Sequence, residues 1–123
     1  MRVAELESLR KEYPKGARIE LVKMDDIQAP PIGTKGTVVG VDDFGSIMVS
    51  WVNGSSLNVV LGEDVVKKVI TTVCYGRTRE WSSVTEAMQF FLVCILNSDG
   101  SEKERYERIV AGLKNGKTMC SDE

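Results

Sequence analysis

The pattern of hydrophobic and polar positions changes its period once along the chain, from alternation in the first half to helical spacing in the second. Between residues 33 and 60, three short runs rich in β-branched residues are separated by Asp, Gly and Asn-Gly. Runs bounded by such turn residues are typical of an antiparallel meander. The predicted strands are residues 37–41, 46–51 and 57–61, with two more at 18–24 and 65–73.

The hairpin that joins 46–51 to 57–61 has two possible registers. A two-residue loop at Asn53-Gly54 would place Val49 opposite Asn58, whereas a three-residue loop over 52–54 places Val49 opposite Leu57. We favour the three-residue loop, because a shift by one residue would turn the apolar set outwards. The predicted inward face consists of Ile47, Val49, Trp51, Leu57, Val59 and Leu61. Gly54 then takes a positive φ, which glycine adopts without strain.

The order of these strands predicts an α+β protein that begins with a small five-stranded SH3-like β-barrel. A short amphipathic helix over 1–12 ends before Pro14, since proline disfavours helical geometry at the preceding residue. The barrel spans 13–73, with one long first loop over 25–35 that contains two prolines. The rest, 74–123, is predicted to be an extended segment followed by an antiparallel αα-hairpin and a tail.

Two capping boxes mark the starts of the hairpin helices. Ser83 with Glu86 opens a helix over 84–97, and Ser101 with Glu104 opens one over 102–114. The first helix is apolar on nearly all sides, so it must be covered by this chain or by another molecule. A homodimer built through 84–97 is therefore one hypothesis. Asn115-Gly116 ends the second helix, and 117–123 is predicted to be mobile.

The chain contains no histidine and three widely spaced cysteines. Histidine is the commonest general base and the commonest metal ligand, and neither role can be filled by it here. The cysteines fit no disulfide framework and no CxxC metal signature. Residues 111–118 read AGLKNGKT and resemble a phosphate-binding loop, but such a loop needs a strand before it and a helix after it. We therefore expect no enzymatic activity, no catalytic residues, no metal and no cofactor.

The charge and the hydropathy of the chain bear on its partners and its location. The formal net charge is −2, and the two halves of the chain are almost equally balanced, which argues mildly against sequence-nonspecific nucleic-acid binding. No apolar run reaches the length of a membrane span, and the N-terminus does not read as a signal peptide. We expect a protein without membrane contact in the cytoplasm of a bacterial host cell.

Acidic pairs occupy the three places that bound the binding groove of an SH3-like barrel. Together with one aromatic residue they form the predicted partner-binding set: Asp25, Asp26, Asp42, Asp43, Phe44, Glu63 and Asp64. Six carboxylates along one groove could imitate phosphates towards a basic partner. The alternative is that these are ordinary polar turn residues, which need no function.

A second candidate surface follows the barrel, where Tyr75, Arg77, Arg79 and Trp81 interleave aromatic and basic side chains. Such surfaces can stack bases and bind phosphates. The alternative, which we favour, is that Tyr75 and Trp81 alternate into the core while the arginines face water.

Residues 13–69, from YPKGARIELV through QAPPIGTKGTV and the GSSLNVV hairpin to VVKKV, resemble a small domain-of-unknown-function family. That family is common in plasmids, integrative elements and phages of Firmicutes. The downstream CYGRTREW, DGSE and CSDE segments resemble segments that accompany the domain in mobile-element proteins. The resemblance implies a barrel and a mobile-element setting, and it transfers no residue roles.

These observations support three hypotheses. The first is a non-catalytic counter-defence protein of the anti-CRISPR type, which inhibits a defence nuclease by stoichiometric binding. The second is a nucleic-acid-binding accessory protein that uses the barrel with Tyr75, Arg77 and Arg79. The third is the homodimer through 84–97.

Overall fold

The computed structural model describes residues 2–123 as a mixed α+β protein with three helices and seven strands in two sheets, neither of them closed. The predicted count of five strands was therefore wrong, and the sheet of the first half is open. The chain divides into two compact units: unit 1 ends at Lys68, and unit 2 is Val69–Glu123. The helices are α1 (Val3–Glu12), α2 (Val84–Leu96) and α3 (Gly100–Lys114). The strands are β1 (Arg18–Lys23), β2 (Lys35–Val41), β3 (Ile47–Trp51), β4 (Val65–Lys68), β5 (Ile70–Cys74), β6 (Arg77–Trp81) and β7 (Met119–Ser121).

Unit 1 is built on a four-stranded antiparallel sheet in the order β3-β2-β1-β4. Alternate residues of each strand point into one core, so β1 buries Ile19 and Leu21 while its other residues face outwards. Helix α1 contributes Leu9 to the same core, with Leu6 packed against it. The helix predicted over 1–12 is confirmed for the residues that the structure describes.

The three-residue loop at 52–54 is confirmed. Ile47 and Val59 exchange both backbone hydrogen bonds at 2.8 Å, and Gly54 has a φ of 89°. The amide of Trp51 donates to the carbonyl of Ser55. The β3 strand and Val59 therefore have the register that a three-residue loop requires.

The strand predicted over 57–61 was wrong in its extent, because only Val59 forms a bridge to β3. Local hydrogen bonds compete with strand pairing on both sides of it. Before it, the Ser55 hydroxyl accepts from the amide of Leu57; after it, a carboxylate oxygen of Asp64 accepts from the amide of Val60. As a result Leu57 is only half-buried and Leu61 is exposed, although both were assigned to the inward face.

The single strand predicted over 65–73 is two strands in different sheets. β4 pairs with β1 in unit 1, whereas β5 pairs with β6 and β7 in unit 2. Val69 and Ile70 are consecutive and both buried. In a strand with one buried face, successive side chains alternate between the core and the solvent, so two consecutive buried residues do not fit one such strand. The alternation therefore breaks between Val69 and Ile70.

Unit 2 contains a three-stranded sheet in the order β6-β5-β7. Strands β5 and β6 form a hairpin through the two-residue turn Tyr75-Gly76, in which both residues have positive φ (52° and 73°). This is the requirement of a type I′ turn, which suits the twist of paired strands. The segment was predicted only as extended, because tyrosine rarely adopts a left-handed conformation.

The last residues form part of the sheet and are not the mobile tail that was predicted. Strand β7 runs parallel to β5, and Cys120 and Asp122 are buried. After α3 the chain continues directly into β7, beside β5. The last carbonyls of α3 are satisfied there, because the amides of Gly116 and Lys117 donate to the carbonyls of Leu113 and Gly112. The predicted stop at Asn115-Gly116 is confirmed.

The core of unit 2 lies between its sheet and the two helices. It contains Ile70, Trp81, Ala87, Phe91, Ile109, Val110, Leu113 and Cys120. The capping interaction at Ser83 is confirmed, since its hydroxyl accepts from the amide of Glu86 at 3.1 Å. The second capping box was wrong: α3 begins at Gly100, and the side chain of its N-cap residue Asp99 forms no capping hydrogen bond.

Candidate functional site

An open groove in unit 1 lies between α1 and the β2–β3 turn. Its volume is about 480 Å³, and we call it the Phe44 groove. Its lining consists of Ala4, Glu5, Ser8, Leu9 and Glu12 from α1, together with Phe44, Gly45, Val60 and Leu61. The groove therefore has an apolar floor, and its charged lining residues within 2–123 are both acidic.

Phe44 projects from a turn whose backbone is fixed by hydrogen bonds. A carboxylate oxygen of Asp42 accepts from the amides of Phe44 at 3.0 Å and Ser46 at 2.9 Å, and Gly45 takes a φ of 85°. Arg10 donates to Asp43 at 3.1 Å and thereby joins the turn to α1. Phe44 is nonetheless 87% exposed. A large apolar side chain that is exposed on a hydrogen-bonded turn has the character of a docking anchor.

The acidic rim from α1 was not predicted from the sequence. Glu5, Leu9 and Glu12 recur at spacings of four and three residues, which places them on one side of a helix. That signal was present, but the helix over 1–12 was predicted only as a short amphipathic segment without a binding role. Glu12 also approaches Lys68 at 3.6 Å in an exposed pair.

Of the predicted partner-binding residues, only Phe44 lines this groove. The carboxylate of Asp42 stabilises its own turn. Asp26 likewise accepts from the amide of Gln28 at 2.7 Å, and Asp64 accepts from the amide of Val60. Asp43 pairs with Arg10, and Asp25 and Glu63 are exposed on the loop after β1 and the turn before β4. Three of the six carboxylates thus have local structural roles.

A second concavity lies within unit 2, and its volume is about 300 Å³. We call it the arginine pocket. It is lined by Thr72, Cys74, Tyr75, Arg77, Arg79, Phe90, Phe91, Cys94 and Tyr106. The structure therefore brings together all three residues of the alternative nucleic-acid contact, Tyr75, Arg77 and Arg79.

The hairpin places these side chains by its register. Cys74 pairs with Arg77 and Thr72 with Arg79, so these four residues share one face of the sheet. The guanidinium carbon of Arg79 lies 4.0 Å from the Trp81 ring centroid and 4.9 Å from that of Phe90. Trp81 is buried, as predicted, but Tyr75 is 59% exposed and does not enter the core.

Tyr75 and Tyr106 are each fixed by a charged neighbour. The guanidinium carbon of Arg105 lies 4.7 Å from the centroid of the Tyr75 ring. The hydroxyl of Tyr106 donates to Glu102 at 2.9 Å, and this hydrogen bond, with desolvation, raises the pKa of Tyr106 to about 12. Both aromatic side chains therefore have defined positions around the pocket.

The two thiols of the pocket are neutral at ordinary pH. Burial raises the pKa of Cys74, with Asp122 adding to the effect, and burial likewise raises the pKa of Cys94. The thiolate is the nucleophilic form of cysteine, so neither group is activated. Both thiols belong to the apolar wall of the pocket.

The expected homodimer through 84–97 stays a prediction. Helix α2 buries Ala87 and Phe91 and exposes Leu92, Val93 and Leu96. Among residues 2–123, no helix combines the length and the apolar composition needed to cross a membrane. Nor do these residues contain a cluster of three or more acidic, histidine or cysteine side chains with metal-binding geometry.

The architecture defines a small α+β protein with an exposed aromatic groove in unit 1 and a basic aromatic pocket in unit 2. Residues 2–69 match the family described as a domain of unknown function, DUF4314, and the chain belongs to that family. The match covers unit 1 and its Phe44 groove, whereas the arginine pocket lies outside it. No curated protein and no solved structure shows significant similarity to the chain.

Proposed function

We propose that the protein is a non-catalytic binding protein that inhibits a bacterial defence nuclease by stoichiometric association, in the manner of an anti-CRISPR protein. The observation that carries this proposal is the exposed Phe44 ring on a fixed turn beside an acid-rimmed groove. Nucleases that act on nucleic acid carry basic surfaces, because they must bind phosphates. A partner of that kind complements Glu5 and Glu12.

The form of the groove suits protein recognition. Binding energy at interfaces is concentrated in a few buried aromatic or arginine anchors, with charged groups around them that direct association. Phe44 would be the anchor, and the carboxylates of α1 would form the rim. Because Asp42 and Gly45 already fix the turn, little conformational entropy would be lost on binding.

The proposed setting is a mobile genetic element within the cytoplasm of a bacterial host. The family resemblance of residues 13–69 supports that setting. The proposal assigns no catalytic step to this chain, since it contains no histidine and its pocket thiols are protonated.

Size-exclusion chromatography combined with a cleavage assay tests the proposal. The purified protein is mixed with CRISPR effector nucleases of several types, with and without guide RNA. We expect co-elution with one effector and loss of its cleavage activity. Unimpaired cleavage by every effector would refute the proposed inhibition.

The arginine pocket supports a second candidate function, binding of single-stranded nucleic acid. Its specific observation is the convergence of Tyr75, Arg77 and Arg79 beside Phe90 and Tyr106. Salt-dependent retention of oligonucleotides, weakened by Arg77→Glu, is the expected result. Retention that is indifferent to Arg77→Glu would exclude this surface as the contact.

A further inference from the structure

The arginine pocket combines aromatic side chains, which suit a flat apolar group, with guanidinium groups, which suit an anion. Its aromatic lining consists of Tyr75, Phe90, Phe91 and Tyr106, and its charged lining consists of Arg77 and Arg79. In the part of the chain that the structure describes, no carboxylate lines it. Aromatic faces favour flat apolar groups, while guanidinium groups favour phosphate, which they bind through two parallel N–H groups.

Arg79 is oriented for this task before any ligand arrives. Its guanidinium packs against both Trp81 and Phe90, and Trp81 is itself fixed by a hydrogen bond of 2.8 Å from its indole N–H to Thr72. A stacked guanidinium keeps the N–H groups at its edge available for an anion. Arg77 is exposed at the start of β6, two residues earlier on the same face of the strand.

Two acidic side chains that contact residues of the pocket lining are already engaged. Glu102 accepts from the Tyr106 hydroxyl. Asp122 accepts from Arg105 at 2.8 Å and from the amide of Tyr75 at 2.9 Å. Among residues 2–123, no carboxylate forms an ion pair with Arg77 or Arg79. The positive charge of these two arginines is therefore not neutralised within the described chain.

We propose that the arginine pocket binds one unpaired nucleotide, with its base against the aromatic side chains and its phosphate on Arg77 and Arg79. Ligand pockets range from about 300 to 1,000 Å³, so a volume of about 300 Å³ can hold one small ligand such as a nucleotide and is too small to enclose a duplex. The nucleotide is either a free mononucleotide or the end of a single strand. This inference deepens the second candidate function and uses the same residues.

Calorimetric titration of the full chain with adenosine 5′-monophosphate tests the inference. Adenosine lacks the phosphate, and ribose 5-phosphate lacks the base. We expect saturable binding of the mononucleotide and at least about tenfold weaker binding of either fragment. The amide resonances of Tyr75, Gly76 and Arg77 should shift in a two-dimensional NMR spectrum. Equal binding of ribose 5-phosphate and the mononucleotide would overturn the assignment of the base to the aromatic wall.

Two matched variants distinguish binding at the pocket from a general effect of the protein's charge. Arg77→Gln should weaken mononucleotide binding at least about tenfold and leave the melting temperature unchanged, because Arg77 is exposed. Lys103→Gln removes an exposed positive charge from α3, outside the pocket, and should leave binding unchanged. Equal losses in both variants would contradict a built site.

A 5′-phosphorylated single strand completes the experiment. If the mononucleotide and the strand both bind and both depend on Arg77, the pocket receives a strand end. Mononucleotide binding without strand binding supports the pocket and refutes the second candidate function. Strand binding with no mononucleotide binding refutes the pocket inference and leaves that function in place. No binding of either probe refutes both.

Discussion

The Asp122 carboxylate accepts a hydrogen bond from the backbone amide of Tyr75, 2.9 Å away, and so links the last residues of the chain to the β5–β6 turn. Arg105 donates to the same carboxylate oxygen at 2.8 Å, and Arg108 donates to the backbone carbonyl of Asp122 at 2.9 Å. The side chain of Asp122 is almost completely buried. The C-terminal residues therefore contact and support the hairpin that carries the arginine pocket.

This carboxylate should make the stability of the protein depend on pH in the acidic range. The hydrogen bond from Tyr75 is the main cause that lowers the pKa of Asp122 below its ordinary value of 3.8. A lowered pKa in the folded state stabilises that state above the ordinary pKa, and the contribution is lost as the pH falls through the folded value. Asp122→Asn should therefore lower the melting temperature near neutral pH, and the difference from the wild type should shrink below pH 3.8.

Glu123→Gln is the matched control, because Glu123 is the exposed neighbour of Asp122. It should leave both the melting temperature and its pH dependence unchanged. A stability loss in Asp122→Asn that is constant from neutral to acidic pH would contradict the role of the charge.

Two adjacent buried threonines should respond in opposite ways to replacement by valine. Thr72 accepts the indole N–H of Trp81 at 2.8 Å, whereas within residues 2–123 the hydroxyl of Thr71 has no hydrogen-bond partner. Thr72→Val leaves a buried donor unpaired, which costs about 1–3 kcal/mol. Thr71→Val removes an unpaired polar atom and should leave the free energy of unfolding unchanged or raise it by up to about 1 kcal/mol.

Urea denaturation of the two variants measures both changes in the free energy of unfolding. The comparison controls for chemistry, since the same substitution is made at neighbouring positions of β5. Equal destabilisation by the two variants would be inconsistent with the hydrogen bond to Trp81.

The contact between α3 and β7 should appear as a coupling between Gly112 and Cys120. A Cβ atom at Gly112 would lie 2.9 Å from the Cys120 Sγ, so Gly112→Ala should destabilise by about 1–3 kcal/mol through overpacking. In the Cys120→Ala background the sulfur is gone. There, Gly112→Ala should lose this penalty and gain up to about 1 kcal/mol of helix propensity.

A double-mutant cycle by thermal or chemical denaturation measures this coupling, which we expect to reach at least about 1 kcal/mol. Additive effects of the two substitutions would show that the helix and strand do not meet there.

Structural features that depend on local chemistry could be predicted from the sequence. The three-residue loop at Gly54, the cap at Ser83 and the stop at Gly116 follow from turn and capping residues, and all were predicted correctly. The break at Val69-Ile70 was missed because a continuous β-branched run conceals a change of sheet. Strand β7 was missed because its pairing with β5 is parallel and distant in sequence.

The same distinction applies to the two candidate sites. Phe44, Tyr75, Arg77 and Arg79 could be singled out from the sequence, since exposed aromatic and basic residues near turns are informative on their own. Their surroundings could not. Phe90 and Tyr106 come from helices whose packing on the hairpin is a tertiary property, and Glu5 and Glu12 reach the Phe44 groove only because α1 packs beside that turn.

The acidic rim of the Phe44 groove should govern the association rate with the proposed partner. Glu5→Lys reverses a charge in the groove lining, whereas Glu7→Lys reverses one on the same helix outside that lining. With an effector nuclease that co-elutes with the protein, Glu5→Lys should slow association several-fold, and the effect should fade at high salt. Surface plasmon resonance measures this rate. Equal slowing by both variants would indicate general charge repulsion and not a defined rim.

The central claim is that Phe44 anchors an inhibitory complex, and titration of nuclease cleavage measures it most directly. Wild-type protein should abolish cleavage at about one equivalent of the effector. Phe44→Ala should require at least about tenfold more protein, since truncating a hot-spot residue commonly costs about 2 kcal/mol or more. It should keep the wild-type melting temperature because the ring is exposed. Val52→Ala alters another exposed apolar residue and should inhibit like the wild type. Full inhibition by Phe44→Ala at one equivalent, or unimpaired cleavage by every effector with the wild-type protein, would contradict the account.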